Sequence, residues 1–335
     1  MLLAGDIGGT KTRLGLFRRP DGRGEARPVQ VTIREYATVD FGSLEEAVAT
    51  FVEETNPSRI EAIAVGVAGP VTGQVARLTN VPWTADMSVV GELFGGCPTR
   101  LLNDLEAMGS AIPVLEPDEL ATLQEGDAVP TGNGALIAAG TGLGEALLHN
   151  VGGRFVPAAS EGGHADFAAR TRRELALVEE LSRIYGRVSN EQVISGQGLV
   201  NVFRFTHGTQ DLASACSVVR GDADAADLPK EITSSALERR CEQCVETLDM
   251  FLDAYGAEAG NLALRAVALA GVYIGGGIAP KILPALEAGP FMEAFRDKEP
   301  MVDLLRTLPV HVILNSSAGL VGAAVRAAQL TRTGR

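Results

Sequence analysis

The sequence has few cysteines and no long apolar segment, and each shortage excludes a class of protein. Four cysteines, at positions 97, 216, 241 and 244, give no disulfide framework for a chain of 335 residues. The uncharged run 266–280 is rich in glycine and shorter than the roughly 20 residues that span a bilayer. Asp6 and Lys11 interrupt the amino terminus before a signal-peptide apolar core forms. We therefore expect a cytoplasmic protein with no membrane partner.

Basic residues are also in short supply. The chain has 29 Lys and Arg against 42 Asp and Glu, which gives a formal net charge of −13. The basic residues are scattered and form no stripe along the sequence. Because an acidic surface repels nucleic acids, no nucleic-acid partner is expected.

Two of the cysteines form a Cys241-x-x-Cys244 pair, which is half of a zinc or redox motif. No second CxxC and no histidine close in sequence completes a metal-binding set. The surrounding residues read as one long helix over 234–256. We therefore expect both cysteines to be ordinary packing residues.

Two glycine-rich segments have the pattern strand, turn, strand. Residues 2–17 read LLAGDIGGTKTRLGLF and residues 135–148 read ALIAAGTGLGEALL. Glycines let a backbone approach a phosphate closely, and successive N–H groups in such a turn bind anions. The predicted phosphate-binding residues are Asp6, Gly8, Gly9, Thr10, Lys11 and Thr12 in the first segment and Gly140, Thr141 and Gly142 in the second.

Neither segment has a common nucleotide-binding motif. The chain has no GxxxxGK[ST], and GTGLG at 140–144 has the spacing GxGxG, with strand residues where a helix would begin. A plain hairpin turn is the alternative interpretation. Two such turns in one chain favour two lobes that each hold phosphate, as in ATP-dependent sugar kinases. Asp6, at a strand end, is a candidate ligand for Mg²⁺ through water.

Other candidate residues follow predicted strands. Asn103 and Asp104 end a strand where open α/β sheets bind ligands, although a helix N-cap also favours Asp. A functional Asp104 would act as a general base. The glycines Gly275, Gly276 and Gly277 would let adenosine lie against the backbone, or form only a strand-to-helix turn.

Polar residues on glycine-rich loops are candidates for binding a polyol. Glu161 and His164 lie in the loop 160–164 and offer acceptors and a donor, although a lone histidine is often structural. Glu191 carries little signal by itself.

Elsewhere, strands alternate with helices, which predicts mostly parallel sheets with helices on their faces. Predicted strands cover 27–36, 60–67, 100–104, 272–277 and 310–314, and predicted helices cover 105–112, 172–186, 198–206, 281–287 and 317–330. Another helix starts at Ser43 and stops at Asn56-Pro57. Residues 207–230 are a candidate variable insertion.

In this order the motifs resemble the bacterial ATP-dependent glucokinases, in the superfamily of hexokinases, actin and heat-shock chaperone ATPases. The likeness runs nearly the full length. Its markers are GDIGGTKTRL at 5–14, LND at 102–104, GTGLG at 140–144, SEGGHADF at 160–167, EQVISGQGLVNVF at 191–203, GNLAL at 260–264 and AGVYIGGGIAPK at 270–281. The resemblance implies an α/β, two-lobed actin-like ATPase (ribonuclease H-like) fold with an interdomain cleft. The small lobe would be 1–112 with the C-terminal helix 316–335, and the large lobe 113–315.

The resemblance also implies phosphorylation of D-glucose at its 6-hydroxyl by Mg·ATP, with Asp104 as the general base. It implies that Asn103, Asp104, Glu161, His164 and Glu191 hold the sugar, that Gly275–Gly277 contact adenosine, and that the protein is a homodimer. The segment Asn80–Trp83 resembles one near the edge of the sugar.

Many close relatives have Asn-Ala where this chain has Lys11-Thr12. The Lys-Thr pair is found instead in the related repressor-kinase family. That family carries a cysteine-rich zinc motif after its histidine, and none follows His164, which favours the zinc-free glucokinases. The alternatives are a kinase of mannose, fructose or N-acetylmannosamine and a non-catalytic sugar sensor.

Overall fold

The structure is a computed structural model that describes residues 1–19, 26–78, 83–209, 216 and 227–331. The chain divides into two compact units. The first unit comprises Met1–Glu119, Arg154–Ala159 and Asn315–Arg335, and the second comprises Leu120–Gly153 and Ser160–Leu314. Each unit is built around a β-sheet of its own and is described by itself.

The strands are β1 (Leu2–Ile7), β2 (Lys11–Arg18), β3 (Val29–Ala37), β4 (Ala62–Val67), β5 (Val71–Thr72), β6 (Val75–Arg77), β7 (Thr84–Asp86), β8 (Thr99–Asn103), β9 (Leu120–Gln124), β10 (Gly134–Ala139), β11 (Leu143–Val151), β12 (Arg154–Ser160), β13 (Gly271–Gly275) and β14 (Val310–Ile313). The helices are α1 (Leu44–Thr55), α2 (Met87–Leu93), α3 (Asp104–Ala111), α4 (Arg172–Tyr185), α5 (Gly196–His207), α6 (Leu228–Leu237), α7 (Glu242–Ala266), α8 (Leu283–Glu287), α9 (Pro290–Arg296), α10 (Val302–Thr307) and α11 (Ala318–Leu330). Strands follow one another at β1–β3, β4–β7 and β9–β12 and helices at α4–α7, so the predicted alternation holds only in part. The prediction of mostly parallel sheets is wrong, because the hairpins and the edge strand β9 add antiparallel pairs.

The two units repeat one strand arrangement. In the first unit the order is β3-β2-β1-β4-β8, with β1 and β2 antiparallel and β4 and β8 parallel to β1. In the second unit five strands follow the order β11-β10-β13-β14-β9, with β10 and β11 antiparallel and β13 and β14 parallel to β10. The predicted strand-turn-strand pairs are therefore confirmed, and each turn, 8–10 and 140–142, is three residues long.

The last helix, α11, confirms the helix predicted over 317–330. It packs in the first unit. Its residues Leu320 and Ala324 are fully buried in one cluster with Leu2 and Ala4 of β1. Gly322 permits a close approach to α3, because a Cβ at this position would collide with the carbonyl of Ala107. The amino end of α11 thereby reaches the end of β1 that leads into the first glycine turn.

The long helix α7 fills the core of the second unit. Its Tyr255 is fully buried and makes edge contacts with Phe251 and Phe291. The Tyr255 hydroxyl accepts a hydrogen bond from the N–H of Ala139 at 3.3 Å. Because Ala139 ends β10, this contact fixes the backbone just before the second glycine turn.

The prediction of one helix over 234–256 is wrong. The helix α6 ends at Leu237 and α7 begins at Glu242, with Arg239 in a left-handed conformation (φ 53°) and Cys241 extended between them. The segment LERRCEQC contains no Gly or Pro, so local propensity gave no sign of the break. The CxxC pair therefore begins a helix instead of lying inside one.

The structure contains further elements that the sequence did not reveal. A small sheet of β5, β6 and β7 and the helices α2, α9 and α10 were not predicted. Most of the candidate insertion 207–230 lies outside the described residues. Among the helices that the structure does describe, none has the length and apolar character needed to span a membrane.

Candidate active site

The first glycine turn is held by its own backbone and by a neighbouring 3₁₀ turn at Thr38–Asp40. The Gly8 N–H donates to the Lys11 carbonyl at 2.8 Å. Thr38 binds the turn twice, through its N–H to the Thr10 carbonyl at 2.9 Å and through its hydroxyl to the Gly8 carbonyl at 2.9 Å. Thr12 is fully buried, with its hydroxyl 3.0 Å from that of Thr38. Thr12 therefore stabilises the turn from the core side through Thr38. Thr10, in contrast, is exposed.

Lys11 is paired with a carboxylate of the adjacent strand. Its Nζ lies 2.5 Å from Glu35 Oε1, and Arg13 Nε lies 2.7 Å from Glu35 Oε2. The hydrogen bonds from Lys11 and then Arg13 hold the pKa of Glu35 below its usual range. The charge of Lys11 is thus partly neutralised on β3, beside the turn.

Asp6 precedes the first turn and lies against the start of α11. A Cβ on Gly319, in the first turn of that helix, would come within 3.2 Å of the Asp6 carboxylate. Burial raises the pKa of Asp6, and the charge of Arg13 opposes this effect. A carboxylate oxygen beside an anion-binding turn is the donor chemistry that Mg²⁺ prefers, so the residues present fit this ion.

Asn103 and Asp104 lie on the sheet edge that carries the first turn. Ile7, Val67 and Asn103 pair in one row across the parallel strands β1, β4 and β8, which places the ends of β1 and β8 about 10 Å apart. Sequence therefore predicted correctly that polar residues end β8, and the structure adds that Asp6 and Asn103 share an edge.

The helix N-cap that sequence allowed at Asp104 is Asn103. The Asn103 side chain accepts from the Leu105 N–H at 2.9 Å and donates to the Gly69 carbonyl at 3.1 Å. Asp104 is the first residue of α3, and its Oδ1 also lies 2.9 Å from the Leu105 N. Capping therefore accounts for Asn103, and a carboxylate at position 104 is also favoured by the first turn of a helix.

In the second unit, the structure brings Glu161, His164 and Glu191 together. His164 Nε2 lies 3.8 Å from Glu161 Oε2, and His164 Nδ1 lies 3.8 Å from Glu191 Oε1. The side chains of Glu161 and His164 are 62% and 57% exposed, so a ligand can reach them. The other oxygen of Glu191 accepts from the Leu143 N–H, directly after the second glycine turn, at 2.9 Å. Two carboxylates and an imidazole in one exposed cluster supply the acceptors and donor that a polyol needs.

Close backbone contacts position this loop. A Cβ on Gly163 would collide with the Leu143 carbonyl, so the glycine lets the loop lie directly on β11. The guanidinium of Arg187 donates to the His164 carbonyl at 2.8 Å and to the Asp166 carboxylate at 2.8 Å. Steric crowding therefore explains why glycine is needed in SEGGH, whether or not a ligand binds there.

A buried carboxyl under the loop was missed by sequence reasoning. Glu145 on β11 is 1% exposed. Its carboxylate lies against Gly162, and a Cβ on Gly162 would collide with it. Burial, followed by the nearby Glu258, raises the pKa of Glu145 to about 7, although Arg265 opposes the shift. The only available signal was a charged residue at an inward position of an apolar strand.

The second glycine turn and Gly275–Gly277 lie side by side. Ala138 of β10 pairs with Gly275 of β13 in parallel register, so the ends of both strands meet at one sheet edge. Gly276 has φ +84°, and a Cβ there would collide with the Ala139 carbonyl. A Cβ on Gly277 would have no atom within 4 Å. A close backbone approach in the strand-to-helix turn therefore explains Gly276, whereas a side chain at position 277 would meet open space.

Most of the predicted sugar-edge segment Asn80–Trp83 lies outside the described residues, because only Trp83 is described. Trp83 is buried, and its indole N–H donates to the Phe41 carbonyl at 3.0 Å. Its described contacts are therefore those of a core residue.

Comparison with known proteins assigns the family. A family model described as Glucokinase matches residues 3–330. A glucokinase from Synechocystis sp. is 38% identical over 346 residues, which cover 98% of each chain. A solved glucokinase from an Antarctic psychrotroph is 30% identical, covers 98% of both chains and has a TM-score of 0.83. A ROK family glucokinase from Streptomyces griseus, solved with glucose and AMPPNP, is 24% identical over 98% of this chain and 99% of that chain, with a TM-score of 0.64, and shows the fold alone.

These solved chains share the mixed α/β fold of sugar kinases. The chain described here belongs to the glucokinase family.

Proposed function

We propose that this chain transfers the γ-phosphoryl group of ATP to the 6-hydroxyl of D-glucose, giving glucose 6-phosphate and ADP. Membership of the glucokinase family over residues 3–330 supports the reaction. The structural observation that carries the proposal is the exposed cluster of Glu161, His164 and Glu191 against the second glycine turn. Curated relatives at 38% identity bear the name glucokinase, which favours glucose over mannose, fructose or N-acetylmannosamine and over a non-catalytic sensor.

Polar side chains hold the sugar by hydrogen bonds to its hydroxyl groups. Glu161 and Glu191 accept from its hydroxyls, and the imidazole of His164 between them accepts or donates. Asn103 and Asp104 complete the set, as the family resemblance implies. A sugar that lacks or inverts one hydroxyl leaves a protein group unpaired, so deoxy and epimeric hexoses are poor substrates.

Asp104 acts as the general base. Its carboxylate takes the proton from the 6-hydroxyl as the oxygen attacks the γ-phosphorus, a contribution of about 10²–10⁴ in rate. Phosphoryl transfer has a loose transition state, so alignment of the two substrates supplies much of the remaining acceleration. The start of α3 gives this carboxylate a fixed backbone position.

The nucleotide is bound by the backbone of the glycine segments. The N–H groups of Gly8 and Gly140 are bonded within their turns, so the N–H groups at 9–10 and 141–142 contact phosphate oxygens. The open side of Gly277 accepts the adenosine. Asp6 would hold Mg²⁺ through water, and the ion would then supply positive charge beside the phosphates. Lys11 can contact a phosphate oxygen if its ammonium group leaves Glu35 or binds Glu35 and the phosphate together.

Four further features are proposed from the family resemblance. They are the two-lobed actin-like ATPase fold, its lobes 1–112 with 316–335 and 113–315, a homodimeric assembly and a cytoplasmic location.

The substrate is tested with purified protein, Mg·ATP and each of glucose, mannose, fructose and N-acetylmannosamine, with ADP release followed by a coupled enzyme. The expected result is the highest kcat/KM with glucose. Preference for another of these sugars would keep the kinase and overturn the substrate. Binding of glucose by calorimetry without ADP release would instead support the sensor.

A further inference from the structure

A histidine and three cysteines meet in the second unit, and none of the four is among the residues proposed to bind the substrates. One ligand atom from each of His207, Cys216, Cys241 and Cys244 lies within 4.8 Å of all the others. His207 Nε2 is 3.5 Å from Cys241 Sγ and 4.0 Å from Cys244 Sγ. Cys244 is buried and the other three residues are half-buried. Three of the chain's four cysteines therefore gather at one point.

The break between α6 and α7 creates the cysteine half of this cluster. Cys241 is the extended N-cap of α7 and Cys244 lies in its first turn, so both sulfurs project from the amino end of the helix. Cysteine binds a metal as the thiolate, and the N–H groups at a helix start stabilise negative charge.

The imidazole of His207 has a ligand's orientation. Its Nδ1 lies 2.9 Å from the Phe203 carbonyl one turn earlier in α5, which places the proton on Nδ1 and turns the lone pair of Nε2 toward the sulfurs. The ring also packs on Phe203 at 3.9 Å between centroids. A backbone carbonyl that fixes the second ring nitrogen is the usual support of a metal-binding histidine.

We propose that His207, Cys216, Cys241 and Cys244 form a structural zinc site. Zn²⁺ takes four N and S ligands in a tetrahedron, with bonds of about 2.0–2.3 Å and therefore ligand–ligand edges of about 3.5–3.8 Å. The cluster needs to contract by only about 1 Å to reach this geometry. Four protein ligands leave no open position, so the ion connects the end of α5, Cys216 and the start of α7 and takes no part in phosphoryl transfer.

A zinc site here would differ from two expectations from the sequence, that the CxxC pair only packs and that the chain is zinc-free. The sequence has no histidine close to the pair and no cysteine motif after His164. The missing ligands, His207 and Cys216, come from a helix and a segment that only the fold brings to the pair.

Zinc content tests the proposal directly. The wild-type protein, purified in a thiol reductant without chelator, is expected to carry one zinc per chain by elemental analysis. The variants Cys241→Ser and His207→Gln should lose most of it. The matched control is Cys97→Ser, because Cys97 is half-buried in the first unit, outside the cluster, and its variant should keep full zinc.

Cobalt gives a second readout that does not depend on activity or on a variant's folding. Wild-type protein stripped of metal and titrated with Co²⁺ should show thiolate-to-cobalt charge-transfer bands and the intense visible bands of a tetrahedral site, and Zn²⁺ should displace them. A chelator should lower the Tm of wild type and Cys97→Ser by several degrees and leave His207→Gln unchanged.

Several outcomes would overturn the proposal. These are a zinc-free wild type with only the weak bands of octahedral cobalt, zinc that is lost equally from Cys97→Ser, and a metal-free wild type whose mass shows a Cys241–Cys244 disulfide. Should Cys241→Ser fail to fold by circular dichroism, the wild-type cobalt spectrum and the zinc content of His207→Gln decide the question.

Discussion

The carboxylate of Glu191 accepts a hydrogen bond from the N–H of Leu143 at 2.9 Å. Its other oxygen lies 3.8 Å from His164 Nδ1. Leu143 directly follows the glycine turn 140–142, so one side chain contacts both the turn proposed for phosphate and the loop proposed for sugar. Gly142 lacks the Cβ that would strike this carboxylate. The position of the turn and the position of the sugar-binding groups therefore depend on each other.

Replacing Glu191 should weaken sugar binding. A hydrogen bond to a charged group contributes about 1.5–3 kcal/mol, so Glu191→Gln should raise the KM for glucose by about 10- to 100-fold. Glu191→Ala should also lower the free energy of unfolding by about 1–3 kcal/mol, since the Leu143 N–H loses its acceptor. Steady-state kinetics and urea unfolding measure the two effects. Glu179→Gln, on an exposed surface of α4, is the control, and an unchanged KM in Glu191→Gln would remove this residue from the sugar site.

The adjacent glycines 276 and 277 should respond differently to alanine. Gly276→Ala combines a left-handed backbone with a collision at the Ala139 carbonyl and should lower the free energy of unfolding by about 1–3 kcal/mol. Gly277→Ala meets open space and should leave stability within about 0.5 kcal/mol of wild type while raising the KM for ATP. Chemical unfolding and ATP titrations separate the two. A normal KM for ATP in Gly277→Ala would argue against adenosine at this turn.

Stability should fall as pH rises through the range set by Glu145. The folded pKa is about 7 and the ordinary value is 4.5, so between these values the folded protein holds a proton that the unfolded chain has released. The free energy of unfolding therefore decreases from pH 4.5 to 7, by on the order of 1–3 kcal/mol, and stays reduced above pH 7.

The isosteric variant Glu145→Gln cannot ionise and should be more stable than wild type at pH 8, with a flatter pH profile. Urea unfolding between pH 5 and 8 measures the free energy of unfolding of both proteins. The control is Glu238→Gln, because Glu238 is exposed and is not a neighbour of Glu145, so this variant should follow wild type. Parallel profiles for wild type and Glu145→Gln would show that Glu145 does not titrate in this range.

Local patterns predicted the features that arise from local chemistry. The two hairpins were predicted because apolar strands and glycines between them are adjacent in sequence, and Asn103 because it ends an apolar strand. The prediction of one helix over 234–256 was wrong because the break at 238–241 contains neither Gly nor Pro to signal it.

Features that depend on packing between distant elements were not predictable from local patterns. Glu145 acquires its neighbour Glu258 only when α7 covers β11, and His207 meets the CxxC pair only when α5 packs beside the start of α7. The proximity of Glu161, His164 and Glu191 is new information of the same kind. Their roles in binding sugar stay a prediction from the family resemblance.

The most direct test of the account compares glucose 6-phosphate formation by wild type and Asp104→Asn. In Asp104→Asn, kcat should fall by about 10²–10⁴ while Tm stays near that of wild type, since Asn103 remains the N-cap of α3. Asp86→Asn is the matched control, because Asp86 caps α2 through the Ser88 N–H at 2.9 Å and asparagine caps equally well. Formation of glucose 6-phosphate at the wild-type rate by Asp104→Asn, or its absence with the wild-type protein, would contradict the account.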